Sequence, residues 1–316
     1  MSERSAAPAT VAGSTVQLDE RSDQKLTDTG QPVLPGERRK PFLPWFLGGM
    51  AKHAVLIGLS IIFLIPFFWM VTGAFKTAAD LNASPIVWFP DQITFDNFAQ
   101  ASTLFPLARY FFNTAVICVL SVLGAVISSA MVGYGLARIE WKGRTALFVL
   151  ILSTTMIPFY VTMFPAFEIY RTLHLTNTWV PLILPHWLGV PIYIFLLRQF
   201  LMSIPKELSE SARIDGANEW QIFTRVILPL IKPALVAVGL FQFLASWNDF
   251  LGPLIYLSDS RLYTISLGLN FFKGEYTSEF GPLMAVSALA VIPIVILFFF
   301  AQRTFIEGIT LTGVKG

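Results

Sequence analysis

Six apolar stretches decide what this chain can fold into: His53–Phe75, Tyr110–Ala137, Thr145–Phe167, Leu175–Leu197, Pro233–Leu257 and Phe280–Gln302. Each is long enough to carry a helix across a bilayer, which takes about 20 residues at 1.5 Å of rise per residue. Hydrocarbon offers the backbone no hydrogen-bond partners, so a segment of this kind must bond within itself as a helix. Strands of a membrane barrel are about half as long and alternate in polarity; these stretches do neither. Charge is correspondingly scarce. Asp, Glu, Lys and Arg make up 13% of the chain, against about 25% in an ordinary soluble domain. The expected fold class is all-α and integral to a membrane, with six transmembrane helices.

The basic residues orient it. With the N-terminus on the cytoplasmic side, 17 of the 22 lysines and arginines fall inside, and Lys76, Arg109, Arg171, Arg261 and Lys273 fall outside. That is the bias that sets topology. Both termini are then cytoplasmic, in a multi-pass protein of a cytoplasmic (inner) membrane. Residues 1–45 are rich in Ser, Ala, Thr, Pro and charge without apolar periodicity, and are expected to form a disordered tail. Residues 46–302 form the membrane domain and 303–316 a second cytoplasmic tail. The first apolar run starts late and is long enough to be kept as a span rather than cleaved. The net charge of +2 gives no reason to expect nucleic acid as a partner. A single cysteine, Cys118, excludes an internal disulfide framework or a Cys-based metal site.

The cytoplasmic loop 198–232 is the most informative segment. Pro205, followed by Glu207 and Glu210, suits the start of a helix whose positive dipole end faces acids. Ala212 keeps the next turn slim, and Gly216 supplies a permissive hinge. Asn218 and Gln221 have the spacing of a capping box, opening a second helix through Trp220, Phe223 and Val226 that Pro229 and Pro233 end at the membrane. Two short helices at a sharp turn on a membrane domain make a docking knob.

The run Glu210-Ser211-Ala212-Arg213-Ile214-Asp215-Gly216-Ala217, with Phe223 and Leu228-Pro229 behind it, resembles the EAA loop of ATP-binding-cassette importer permeases. Residues 50–316 as a whole resemble the maltose-permease type of carbohydrate importer, through Pro90–Phe98, Ser246–Ile255 and Gln302–Gly316. The resemblance implies a permease subunit that moves a sugar, a disaccharide or oligosaccharide. It implies as partners a homologous second permease, two ATPase subunits and an extracytoplasmic solute-binding protein. Glu210 would pair with a basic ATPase residue, Asp215 would complete the motif, and Ala212, Gly216 and Ala217 would allow close packing and the turn. Ser211 stands where the motif usually has alanine. The family also has one permease that inserts its C-terminus between the ATPases, and Thr310–Gly316 resembles that tail; a disordered polar end is the alternative.

Ionisable and polar groups at membrane depth are costly and therefore functional candidates. Gln242, Ser246 and Asp249 share one helical face by their spacing, with Trp247 and Phe250 beside it. His186 adds a polar group in the preceding helix, near Gly189. Thr155 and Phe159 bracket Pro158, where a proline kink can open the bundle. Hydrogen-bonding groups flanked by rings suit a hydroxyl-rich ligand, and by resemblance Thr155, Phe159, Gly189, Ser246 and Asp249 match pocket positions of the homologous partner permease of the maltose system, the subunit that makes most sugar contacts there. An equally good reading of the same residues is polar glue between helices.

No G-x-x-x-x-G-K-[ST] phosphate loop occurs in the sequence, so ATP and magnesium belong to separate ATPase subunits and the chain binds no cofactor of its own. His53, His174 and His186 lack metal-ligand spacing, and no catalytic set of acids or nucleophile and base stands together. Two other readings remain at this point. The same architecture could carry a non-sugar solute such as a glycerophosphodiester, or the chain could be a polytopic membrane enzyme.

Overall fold

The computed structural model describes residues 42–104, 106–275 and 280–313, and the regular elements among them are all helices. The chain divides into two compact units, Met1–Ile62 and Phe63–Gly316. The described part of the first is the beginning of α1 (Phe42–Ala74). There Val55, Leu56, Ile57, Leu59, Ile61 and Ile62 turn apolar side chains outward, as a helix in lipid does. The helix starts at Phe42, ahead of both the first apolar run and the boundary expected at residue 45. Residues 1–41 lie outside the described part.

In chain order the second unit continues with α2 (Leu107–Ala137), α3 (Arg144–Met156, its last turn 3₁₀), α4 (Phe159–Thr172), α5 (Val180–Trp187) and α6 (Pro191–Ser203). Then come α7 (Glu207–Ile214), α8 (Glu219–Leu230), α9 (Lys232–Trp247), α10 (Leu251–Tyr256) and α11 (Phe280–Gly313). Among the described residues, four stretches are long and apolar enough to cross a membrane: Lys52–Ala74, Leu107–Ala137, Val180–Ser203 and Phe280–Gln302. Two bent pairs, α3/α4 at 99° and α8/α9 at 78°, bring the number to six if each pair is one span. The backbone of α11 runs on to Gly313, through most of the segment expected to be a tail. The side chains of that tail lie outside the described residues, and so does the rest of the tail motif.

Helix α2 is the centre of the unit, with α5, α6 and α9 packed around it and α11 against α9. In lipid, apolar surface gains little by leaving its solvent, so helices associate through close packing and hydrogen bonds. Helix α2 supplies both. Gly124 lets the Trp187 ring lie against the helix, and a Cβ there would collide with the ring; the indole Nε1 donates to the Leu120 carbonyl at 3.1 Å. Gly133 brings the backbone of α6 close.

Of the six apolar runs in the sequence, the fourth, Leu175–Leu197, is not one straight helix. It breaks at Leu188–Val190, where Gly189 takes a φ of +95°, and irregular backbone at membrane depth needs partners within the protein. Serines of α2 provide them. Ser121 Oγ donates to the Leu182 carbonyl at 3.3 Å, Ser128 Oγ donates to the His186 carbonyl at 3.0 Å, and Ser129 Oγ accepts from Val190 N at 3.4 Å.

The third and fifth stretches also depart from straight spans. Pro158 keeps Ile157 out of the helical region, and both residues are extended; the kink expected there is a full right-angle turn. In the fifth, the helix stops at Trp247 rather than running to Leu257. Asn248 Nδ2 donates to the Leu244 carbonyl at 2.8 Å and Asp249 Oδ1 accepts from Gly252 N at 3.0 Å. Side chains that bond nearby backbone in this way compete with the helix ladder.

Candidate functional site

The loop between α6 and α9 forms a knob whose shape follows from its caps. Helix α7 carries Glu207 and Glu210 in its first turn. It ends in a Schellman motif: Ala217 N donates to the Ala212 carbonyl at 2.9 Å and Gly216 N to the Arg213 carbonyl at 3.0 Å. Gly216 sits at φ +83° with open space around it, so the backbone angle alone demands glycine. Asn218 then caps α8, its Oδ1 accepting from Gln221 N while Gln221 Oε1 accepts from Asn218 N, both at 2.9 Å.

The underside of the knob is core. Ile222, Phe223 and Ile227 of α8 are buried with Tyr134, Leu197 and Leu201, and Ala212 and Ala217 pack against the same cluster. Polar clamps fasten the rest. Arg138, at the end of α2, donates to the carbonyls of Ile204 (2.7 Å) and Pro205 (3.0 Å) and to Ser209 Oγ (2.7 Å). Tyr134 Oη donates to Glu219 Oε2 at 2.8 Å, and Arg213 reaches Glu219 Oε1 at 2.8 Å. The outer surface carries Glu210, Ser211, Asp215 and Gly216, and beside them Ile214, which is 86% exposed.

A second locus lies between α5 and α9. His186, Gln242, Ser246 and Asp249 line one cavity of about 220 Å³ together with Ile117 and Leu182. Gln242 is buried; its Nε2 donates to Ser246 Oγ at 2.7 Å and lies 3.4 Å from His186 Nε2. The Asp249 carboxylate borders the cavity at the mouth of the break between α9 and α10. Neutral donors, acceptors and one carboxylate on apolar walls form a recess that can hold hydroxyl groups. Among the described residues no three His, Cys, Asp or Glu side chains gather as a metal site.

Comparison with known proteins places this architecture. Residues 129–310 match the family described as "Binding-protein-dependent transport system inner membrane component". The arabinooligosaccharide transport system permease of Halalkalibacterium halodurans is 38% identical over 285 residues, 88% of this chain and 99% of that one. The chain belongs to this family of inner membrane transport components. A diacetylchitobiose uptake system permease of Streptomyces coelicolor is 34% identical over 83% of this chain and 95% of its own. A chain of a bacterial ABC transporter that imports the acidic polysaccharide alginate shares the fold, with a TM-score of 0.73 at 22% identity over 84% of this chain and 99% of that chain.

Within this member of the transport-component family, not every residue singled out in the sequence reaches the cavity. Thr155 and Phe159 lie exposed on either side of the α3/α4 turn, with Thr155 Oγ1 donating to its own helix at the Leu152 carbonyl. Gly189 sits in the α5–α6 break and serves the backbone there. Trp247, expected beside the polar face, is committed elsewhere: its Nε1 donates to the Ala290 carbonyl at 3.0 Å and its ring stacks on Phe243. Helix α8 ends at Leu230, between Pro229 and Pro233 as expected, and a π turn over Ile222–Ile227 precedes that end. The fastening of the knob to Tyr134 and Arg138 is not visible in the local sequence, because their partners there stand 66 to 85 residues away along the chain.

Proposed function

We propose that this chain is one of two permease subunits of an ATP-binding-cassette importer, crossing the cytoplasmic membrane six times with both termini inside, and that its cargo is a disaccharide or oligosaccharide. The observation that carries the coupling role is the knob: acids, Ile214 and a glycine turn on the outside, packed core beneath. Glu210 meets a basic residue of the ATPase, and Ser211, Asp215 and Gly216 lie in the contact. Closure of two ATPase subunits around ATP and magnesium moves the knob. Helix α8 turns α9 with it, and α9 carries Gln242, Ser246 and Asp249. The chain itself catalyses nothing; two states of the pathway exchange as ATP binding favours one and hydrolysis the other.

The homologous second permease closes the other half of the pathway, so that Thr155, Phe159 and the break at Gly189 face it, and a solute-binding protein delivers cargo from outside. The cargoes for which the relatives are named, arabinooligosaccharides and diacetylchitobiose, support sugar over a phosphodiester, as does a cavity whose described lining has no lysine or arginine.

The test is binding-protein-stimulated ATPase activity of the co-purified complex. Glu210→Ala and Gly216→Pro are expected to assemble and to lose stimulated turnover and uptake. Normal transport by both variants, or purification without any ATPase, overturns the assignment.

A further inference from the structure

The segment between α1 and α2 leaves the membrane helix and comes back to it. Residues 77–93 form an excursion stapled at its two ends. Thr94 N donates to the Phe75 carbonyl at 3.0 Å, and Asn97, itself buried, donates to the carbonyls of Ala74 (3.0 Å) and Lys76 (2.8 Å). Phe75 packs on Phe95 and Phe98 at the same closure. The middle of the excursion does not stand away from the helix. Trp88 meets Trp69 with ring centroids 5.8 Å apart, and Phe89 meets Phe68 at 5.4 Å, both edge to face.

That register fixes a depth. The apolar span ends at Ala74, and Phe68 and Trp69 lie five to six residues before it, about 8 Å back along the helix at 1.5 Å per residue. Trp88 and Phe89 are therefore held at the level of the span's own last turns, yet they remain 52% and 68% exposed. Ile86 is exposed beside them, and residues 81–90 carry no charge. Their apolar surface continues that of Phe67, Phe68 and Val71 on the helix.

A loop at this depth has little water to satisfy its carbonyls. Lys76 meets that need. Its side chain is fully buried, its Nζ donates to the Val87 carbonyl at 2.6 Å, and the ammonium lies 3.8 Å from the centre of the Trp69 ring. A buried cation tied to one loop carbonyl and one aromatic face is costly unless the loop needs the donor there.

We infer that Pro85–Pro90 is an interfacial lipid anchor, folded back along the first span so that Trp88 and Phe89 sit in the headgroup–acyl boundary, with Lys76 supplying the hydrogen bond that water would otherwise make. Amphipathic segments seat at about 5–10 Å into that boundary, and tryptophan concentrates there. The occupant is the lipid surface of the leaflet opposite the docking knob. Its role is to fix the height of the first helix while the knob side moves.

The test places a nitroxide at Phe89→Cys in a Cys118→Ala background. The full-length chain, with its co-purified subunits, is reconstituted in phosphatidylcholine–phosphatidylglycerol liposomes, and collision with oxygen is compared with collision with a water-soluble nickel chelate. A label at Asn82→Cys serves as the aqueous reference. The inference expects oxygen to dominate at position 89 and nickel at 82, with Lys76→Met raising nickel access at 89 several-fold. Nickel dominance at 89 in the parent overturns it, because the loop is then in water. Low access to both reagents also overturns it, because protein then covers the loop. An unchanged profile in Lys76→Met overturns the role of the lysine. The readout needs neither cargo nor ATP, so its failure is distinct from failure of the importer assignment.

Discussion

The two bent pairs use the same local chemistry and end in opposite surroundings. At the α8/α9 corner, Ile227 and Ile231 are fully buried and Ala234 nearly so. At the α3/α4 corner, neither helix has a buried residue, and Met156 is 82% exposed. Prolines stand at both. A proline therefore permits a bend, but what fills the corner decides what the bend can do. The filled corner is held by the same core that holds the knob. The empty corner presents a face that the other described residues do not cover, the face that the proposed second permease would meet.

The largest test of this contrast is a matched truncation. Ile227→Ala removes packing from the filled corner and is expected to cost about 2–5 kcal/mol, read as a lowered unfolding midpoint in detergent. Met156→Ala at the empty corner should stay within about 0.5 kcal/mol; equal costs would erase the distinction. A second test asks what holds each angle. Pro158→Ala should let α3 and α4 straighten, lengthening the distance between spin labels on the two helices by several ångström, whereas Pro229→Ala should leave the α8/α9 distance unchanged because its corner is packed.

Smaller effects sharpen the picture of the fastening. Tyr134→Phe removes the hydroxyl that reaches Glu219. A loss of about 1 kcal/mol is expected, since Glu219 is half-exposed and water replaces part of the bond. Glu140→Gln is expected to change the melting midpoint least. Its ion pair with Lys206 is exposed. The hydrogen bond from the Lys206 ammonium holds the Glu140 carboxyl below its ordinary value. A depressed carboxylate contributes above its unfolded pKa and loses that contribution as pH falls through its folded one. Any midpoint difference between Glu140→Gln and the parent should be present at neutral pH and vanish in acid.

How much of this was legible depended on the range of the interactions. The long apolar runs, the Asn218–Gln221 box and the Gly216 turn follow from chemistry within a few residues, and the sequence displays them. The breaks at Leu188–Val190 and Asn248–Phe250 lie inside runs long and apolar enough to be read as straight spans. They are made possible by Ser128 and Ser129 on another helix and by Asn248 and Asp249 turning to their own backbone. Asn248 and Asp249 stand out in the sequence as polar residues, but not as the end of a helix. Helical spacing places Gln242 and Ser246 on one face of α9, but Asp249 lies beyond the helix end and reaches the same cavity, with His186, through the break instead. The opposite turn of Trp247 was not readable from that spacing, because Ala290 claims its indole from the last helix.

The π turn over Ile222–Ile227 has a consequence for the angular setting of the knob. Leu228 N reaches back five residues to the Phe223 carbonyl, so this turn encloses one residue more than an α turn. Each residue of an α-helix advances the chain by about 100° around its axis. That one additional residue sets the azimuth of Glu210 and Ile214 relative to α9, much as a shim sets the phase of a gear. Removing one residue from 222–227 would leave a continuous helix of the same apolar character and swing the docking face by more than a quarter turn. The length of this segment is thus as much a part of the proposed docking face as the side chains on its outer surface.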